Sequence, residues 1–236
     1  MARIIQPLSP LGSFFLFSFF ETILSHILFM IEGLPVTLGL TACGLSVGFV
    51  IGLPLAILRV YGRTAGKLFV AVFERTMRSI PPLVLIFLFY FGIQTTLFEV
   101  PGLFAVAVAL GLCSSGYQSQ IFRGALESIG TGQMDAARSL GMSKLQAIRF
   151  IMAPQALRFA LPSWANELAT MIKDTSLAFV VGVAELMRRA DYVRAATFDP
   201  LTPFVLVAGI YFVIVFPVTR IAGTWGEKRK RLLTGA

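Results

Sequence analysis

Apolar positions along this chain do not alternate with polar ones. They run in blocks, several of which reach the roughly 20 residues that an α-helix needs to cross the hydrocarbon core of a bilayer. Between Gly, Pro and charged residues, five such spans emerge: about Leu34 to Leu58, Ala65 to Ile93, Leu103 to Leu126, Leu161 to Leu186 and Pro203 to Ile221. A Phe-rich stretch, Phe14 to Ile31, precedes the first span and reads either as its backward extension or as a separate interfacial helix. Within the first span Gly44, Gly48 and Gly52 recur every fourth residue on one helix face, a spacing that lets two membrane helices approach closely. Pro81-Pro82 removes backbone donors from the second span and is expected to kink it, with Glu74, Arg75 and Arg78 just ahead. The third span carries Ser114, Ser115, Gln118, Ser119 and Gln120, a polar patch that is costly unless it faces protein or water. The fourth contains Asn166, Glu167, Lys173, Asp174, Thr175 and Ser176, whereas the fifth is cleanly apolar and suits packing and anchoring.

Between the third and fourth spans lie about 30 residues, too many and too well punctuated for a plain connector. They are expected to fold as two short helices. Gly130 and Gly132 mark a turn, Asp135 is expected in the first helical turn, and Gly141 stops that helix as its C-terminal glycine. Ser143 and Gln146 have the S-x-x-Q spacing of a capping box opening a second helix, which Pro154 is expected to limit. Ala136, Ala137 and Leu140 give the first helix an apolar patch suited to a groove on another protein.

Composition agrees with a lipid environment: 56% of the 236 residues are hydrophobic and 14% charged, against about 45–50% and about 25% in soluble domains. The net charge of +8 does not point to nucleic acid, because the basic residues lie in short gaps between apolar runs and form no wettable face. Arg59, Arg63 and Lys67, then Arg138, Lys144, Arg149 and Arg158, then Lys228, Arg229, Lys230 and Arg231 all fall on one side of the predicted spans. That side is cytoplasmic by the positive-inside tendency, with the N-terminus outside and the C-terminus inside. Arg188, Arg189 and Arg194 fall on the outer side, outnumbered and accompanied by Asp191.

Met1 to Pro10 lacks the basic region, apolar run and cleavage site of a signal peptide and is expected to be retained. Cys43 and Cys113 read as small core residues, and His26, the only histidine, as an interfacial residue; no metal cluster is expected. Gly62 to Lys67 resembles a P-loop superficially but has three residues between its glycines instead of four, and Leu68 where Ser or Thr would bind magnesium. An intramembrane enzyme would need a nucleophile with its base or a metal cluster, and neither pattern is found. A stand-alone carrier, the alternative transport reading, would need internal repeats and its own coupling-ion site.

Asp135-Ala136-Ala137, Gly141, Ile151 and Pro154 resemble the EAA loop of ABC-importer permeases, E-A-A-x3-G-x9-I-x-L-P, with Asp135 for the Glu and Ala153 for the Leu. Four stretches narrow the resemblance to the polar amino acid group, those for histidine, arginine, glutamate and glutamine: Val36 to Thr41, Glu74 to Gly92, Ile121 to Ile129 and Asn166 to Leu186. Ser119-Gln120 stands where members commonly have Ala-Glu, and Arg78 to Pro81 reads Arg-Ser-Ile-Pro where Arg-Gly-Thr-Pro is usual. The resemblance implies an all-α integral membrane fold of about five transmembrane helices with a cytoplasmic coupling-helix loop, the transmembrane domain of a type I ABC importer. That domain would cover residues 33–226 with the loop at 130–158, after a segment at 1–32 and before a basic tail at 227–236. It further implies a bacterial inner-membrane permease subunit that is no enzyme and holds no cofactor. ATP and Mg would sit on a partner ATPase dimer that receives Asp135 to Gly141. An extracytoplasmic binding protein and a second permease subunit, identical or homologous, complete the assembly. The zwitterion of an amino acid needs donors and acceptors on its path. Candidates are Arg78, Gln118, Asn166, Glu167, Lys173, Asp174, Thr175 and Ser176. Lys173 and Asp174 have the alternative of fixing a helix break, and Glu74 with Arg78 that of an internal ion pair.

Overall fold

A computed structural model describes residues 10–96 and 101–234. Met1 to Ser9 lie outside the described residues, as do the side chains of the basic tail. Among the described residues the elements are helical: α1 (Pro10–Ile31), α2 (Leu34–Tyr61), α3 (Thr64–Ser79), α4 (Pro82–Thr96), α5 (Gly102–Glu127), α6 (Thr131–Ser139), α7 (Lys144–Ala147), α8 (Ala153–Asp174), α9 (Leu186–Thr197) and α10 (Thr202–Thr234). Three stretches are long and apolar enough to cross a membrane, Glu21–Tyr61, Gly102–Glu127 and Thr202–Thr224. The Phe-rich stretch is a helix of its own, α1, set off from α2 by the turn at Glu32-Gly33.

The other two spans differ from the expectation. Pro81-Pro82 divides its span and does not merely kink it: α3 ends at Ser79, Ile80 is extended at φ −85°, ψ 126°, and α4 starts afresh at Pro82. A proline disfavours helical geometry in the residue before it, while a proline in the first helical position loses nothing by lacking an N–H. The fourth span is not one helix from Leu161 to Leu186. It begins earlier, at Ala153, stops at Asp174, tightens into a 3-10 segment over Thr175–Val181 and ends on Gly182 at φ +81°.

α5 is the central helix, packed most extensively on α2 and also on α8, α4 and α3. The glycine seam of α2 makes this possible. A Cβ at Gly52 would lie 3.0 Å from the Ser115 carbonyl oxygen and the Ser119 nitrogen, and one at Gly48 would lie 2.8 Å from Ser114 Oγ. Cys113 is buried in this core, as expected, but Cys43 is exposed, because it points away from the face that buries Thr41, Gly44 and Gly48. Gly52→Val is expected to force the two backbones apart and cost about 1–3 kcal/mol. A melting curve of the purified chain in detergent, followed by size-exclusion chromatography, measures it.

The helix ends gather into two poles. At one, Lys144 Nζ donates to the Tyr61 carbonyl at 2.7 Å and Arg59 to the Lys67 carbonyl at 2.6 Å, which brings the end of α2, the start of α3 and the α6–α7 loop together. Arg59, Arg63, Lys67, Arg138 and Lys144 therefore share a pole, as their spacing in the sequence implied. At the other pole Arg189 pairs with Glu32 and lies over the Phe29 ring. The wholly buried Glu185 caps α9 by accepting from Met187 and Arg188 N–H, each at 2.7 Å, and accepts from Tyr211 Oη of α10 at 3.0 Å. Asp191 is shared by Arg188 and Arg194, so with Glu32 two carboxylates offset two of the three arginines at this pole. Beside α9, Asp199 accepts from Leu201 and Thr202 N–H at the start of α10. Hydrogen bonding from the Thr202 side chain, then from these amides, holds its carboxyl below the usual range.

Candidate functional site

The loop at the basic pole takes its shape from two glycines. Gly130 at φ +80° lets the chain turn and opens α6 at Thr131, so Asp135 is the fifth helical residue and not in the first turn, and Gly132 lies inside the helix. Gly141 at φ +82° closes α6 as expected: its N–H donates to Arg138 O at 3.0 Å and the Met142 N–H to Ala137 O at 3.2 Å, the paired bonds of a Schellman end. The capping box is also present, with Ser143 Oγ accepting from Gln146 N–H and Gln146 Oε1 from Ser143 N–H. Pro154, however, ends nothing. α7 runs through a π-helical turn, Ile148–Met152, directly into α8, and Pro154 sits in the first turn of α8. The wider turn absorbs a residue that cannot donate to the preceding register. Instead of a second short helix, the loop has one free helix, α6, and a rod starting at Lys144.

Of the expected docking residues, Ala137 is buried against the chain itself, while Asp135, Ala136 and Leu140 face outward, Leu140 with 84% of its surface exposed. Leu145 and Phe150, 74% and 61% exposed, extend the outward apolar surface of the same loop. Neither was singled out from sequence. Their signal is an apolar residue in the first turn after the capping box and another in the turn before Pro154, where a soluble loop would be polar.

The polar residues of the spans fall into three groups and not one. Glu167 accepts from Ser114 Oγ at 2.6 Å, and Gln118 donates to Ser114 Oγ and the Leu45 carbonyl and accepts from Trp164 Nε1 at 2.9 Å. This buried network ties α2, α5 and α8. At the end of α8, Thr175 and Ser176 return their hydroxyls to the Ile172 and Lys173 carbonyls, at 2.7 and 2.6 Å, which stabilises the change from α to 3-10 winding. Lys173 is exposed and lines two adjoining cavities of about 390 and 280 Å3 against α10, the first shared with Ser176; Asp174 is half-buried beside it, and Asn166 is exposed. Arg78 stands apart, over the Tyr117 ring at 5.1 Å in a cavity that it shares with Glu74. Among the described residues no ion pair joins Glu74 to Arg78. Glu74 instead accepts from Ser119 Oγ at 2.6 Å and Gln120 Nε2 at 3.4 Å. No group of three or more His, Cys, Asp or Glu able to hold a metal ion occurs among the described residues.

Comparison with known proteins agrees with this geometry. The family described as "Binding-protein-dependent transport system inner membrane component" matches residues 48–231. The nopaline transport system permease protein NocM of Agrobacterium fabrum (strain C58 / ATCC 33970) is 35% identical over 203 residues, 81% of this chain and 84% of that protein. The arginine transport system permease protein ArtQ of Bacillus subtilis (strain 168) is 32% identical over 213 residues, 89% and 97% of the two chains. Among solved structures, an amino acid ABC transporter crystallised with histidines superposes with a TM-score of 0.78 at 31% identity, covering 89% of this chain and 98% of that one. The MetNI methionine ABC transporter, at 23% identity and a TM-score of 0.71, shares the fold. With a family match across most of its length and the expected loop at the basic pole, this chain belongs to the inner membrane components, the permease subunits, of binding-protein-dependent transport systems.

Proposed function

We infer that the chain is the permease subunit of an ATP-driven, binding-protein-dependent importer of polar amino acids. The observation that carries this reading is α6: a nine-residue helix, closed by a Schellman glycine and exposing Leu140 at the basic pole, in a chain whose relatives are named as amino acid permeases. Its outward residues Asp135, Ala136 and Leu140, with Leu145 and Phe150, form the face offered to a partner ATPase dimer, and Ala137 and Gly141 hold that face in shape. ATP and Mg belong to that partner. A binding protein engages the opposite pole, where α9 and the α1–α2 turn lie, and a second permease subunit, identical or homologous, completes the path. The basic pole is cytoplasmic, with the C-terminus inside and the N-terminus outside.

For the solute, Lys173 supplies a cation to the carboxylate and Asp174 an acceptor to the ammonium, side by side where α8 breaks; a helix broken inside a membrane offers such groups. Thr175 and Ser176 fix the break. Asn166 and Glu167 line the same helix nearer the basic pole, Gln118 holds the wall behind them, and Arg78 serves the path at a separate cavity. Affinity purification of the chain from its native membrane, with mass spectrometry of what co-purifies, tests the reading. An ATPase is expected with the native chain and is lost with Leu140→Asp; absence of any ATPase from intact membrane complexes overturns it.

A further inference from the structure

Toward the pole opposite the coupling loop, a buried polar node joins four elements. Thr37, Thr175 and Glu185 are wholly buried, and they meet at the hydroxyl of Tyr211. Tyr211 Oη donates to Glu185 Oε2 at 3.0 Å and is in hydrogen-bond contact with the side chains of Thr37 and Thr175. Thr37 Oγ1 also accepts from the Leu186 N–H at 3.3 Å, across 149 residues of sequence. The node thus ties the first turn of α2, the 3-10 segment that follows α8, the cap of α9 and the length of α10. Backbone packing closes the same corner. A Cβ on Gly33 would lie 2.6 Å from the Glu185 carbonyl carbon, so the α1–α2 turn leaves no slack against the start of α9.

Capping alone does not account for this arrangement. Asn, Asp and Ser cap a helix best, because a short side chain sets its oxygen on the first amides. Glu185 is longer, and its carboxylate is buried with no ion pair among the described residues, a costly choice for a cap. The added length lets one carboxylate hold both the Met187 and Arg188 amides and the Tyr211 hydroxyl. Tyr211 in turn lines both cavities beside Lys173, and Thr175 directly follows Asp174 at the end of α8. In a buried network a lost partner leaves a polar group unsatisfied. A displacement of α9 therefore carries Tyr211 with it or breaks the bond.

Resting on the importer reading above, we propose that Glu185 and Tyr211 are positioning residues that couple α9, where the binding protein docks, to the cavities beside Lys173. Movement of α9 shifts the Tyr211 wall and the break at Asp174 together. The test is ATP hydrolysis by the permease–ATPase complex in lipid nanodiscs, with and without binding protein incubated with the twenty standard L-amino acids. The ratio of stimulated to basal hydrolysis is expected to fall about fivefold or more in Glu185→Asp and in Tyr211→Phe. The concentration of binding protein that gives half the effect stays as in the native complex, because docking itself is untouched. Glu185→Asp keeps a good cap but falls short of Tyr211, so a native ratio in that variant means that Glu185 only caps α9 and overturns the proposal. A reduced ratio that saturating binding protein restores also overturns it, since the node then merely shapes the docking surface. Tyr211→Phe keeps the ring in the cavity wall and decides the matter if Glu185→Asp fails to assemble. The importer reading is scored on the native chain: hydrolysis there that the binding protein does not stimulate sinks that reading and the coupling with it, whereas a stimulated native complex with fully coupled variants sinks the coupling alone.

Discussion

Gly141→Val is expected to abolish both recovery of the partner ATPase and ATP-dependent uptake into vesicles. At φ +82° a residue branched at Cβ is strained by about 1–3 kcal/mol, and relief would come only by unwinding the turn. Unwinding removes the Schellman bonds from Gly141 and Met142 to Arg138 and Ala137. α6 has only nine residues, far below the length at which a helix holds itself together in water, so the loss of its end releases Leu140 and Asp135 from any fixed direction. Gly132→Ala is the control. Gly132 lies within the same helix, a Cβ there meets open space, and alanine is the better helix former. That variant keeps the ATPase and full uptake. Uptake retained by Gly141→Val would mean that the end of α6 does not govern docking.

The second large effect is expected at Lys173. Its ammonium lies against α10 beside cavities lined by Ala208, Tyr211, Phe212 and Phe216, with no ion pair among the described residues. A carboxylate crossing at that level without a counter-charge meets a penalty of several kcal/mol. Lys173→Ala is therefore expected to lower uptake by about a hundredfold, equivalent to about 2.7 kcal/mol, with assembly and basal ATP hydrolysis intact; Lys173→Arg restores part of it. Normal uptake by Lys173→Ala would leave Lys173 as a residue that merely fixes the break in α8.

Much of the architecture is legible because apolar blocks and glycines act locally. The seam of Gly44, Gly48 and Gly52, the stop at Gly141 and the Ser143–Gln146 box each depend on a few neighbouring residues, and each is present. The misreadings concern choices that only tertiary context makes. Two glycines were available to open α6, and the chain uses Gly130. Pro154 reads as a terminator until a π turn ahead of it absorbs the missing donor, and the fourth span reads as continuous because Thr175 to Val181 are apolar enough to prolong it. The polar residues are legible as a set but not as a partition. No spacing reveals that Gln118 is committed to Leu45, Ser114 and Trp164, or that Glu74 turns to Ser119 instead of Arg78. Apart from Gln118 with Ser114, four residues away, these pairings join residues 45 to 73 positions apart.

Because α7, the π turn and α8 follow one another without a break, the chain from Lys144 to Asp174 is a single stiff strut, about 45 Å long at 1.5 Å per residue. One end lies beside α6 and the other at Lys173 and Asp174. A tilt imposed on the loop from outside thus arrives at the helix break as a displacement, much as a pushrod carries the motion of a cam to a valve. The π turn, and Pro162 within α8, are the joints in that linkage where the winding can give.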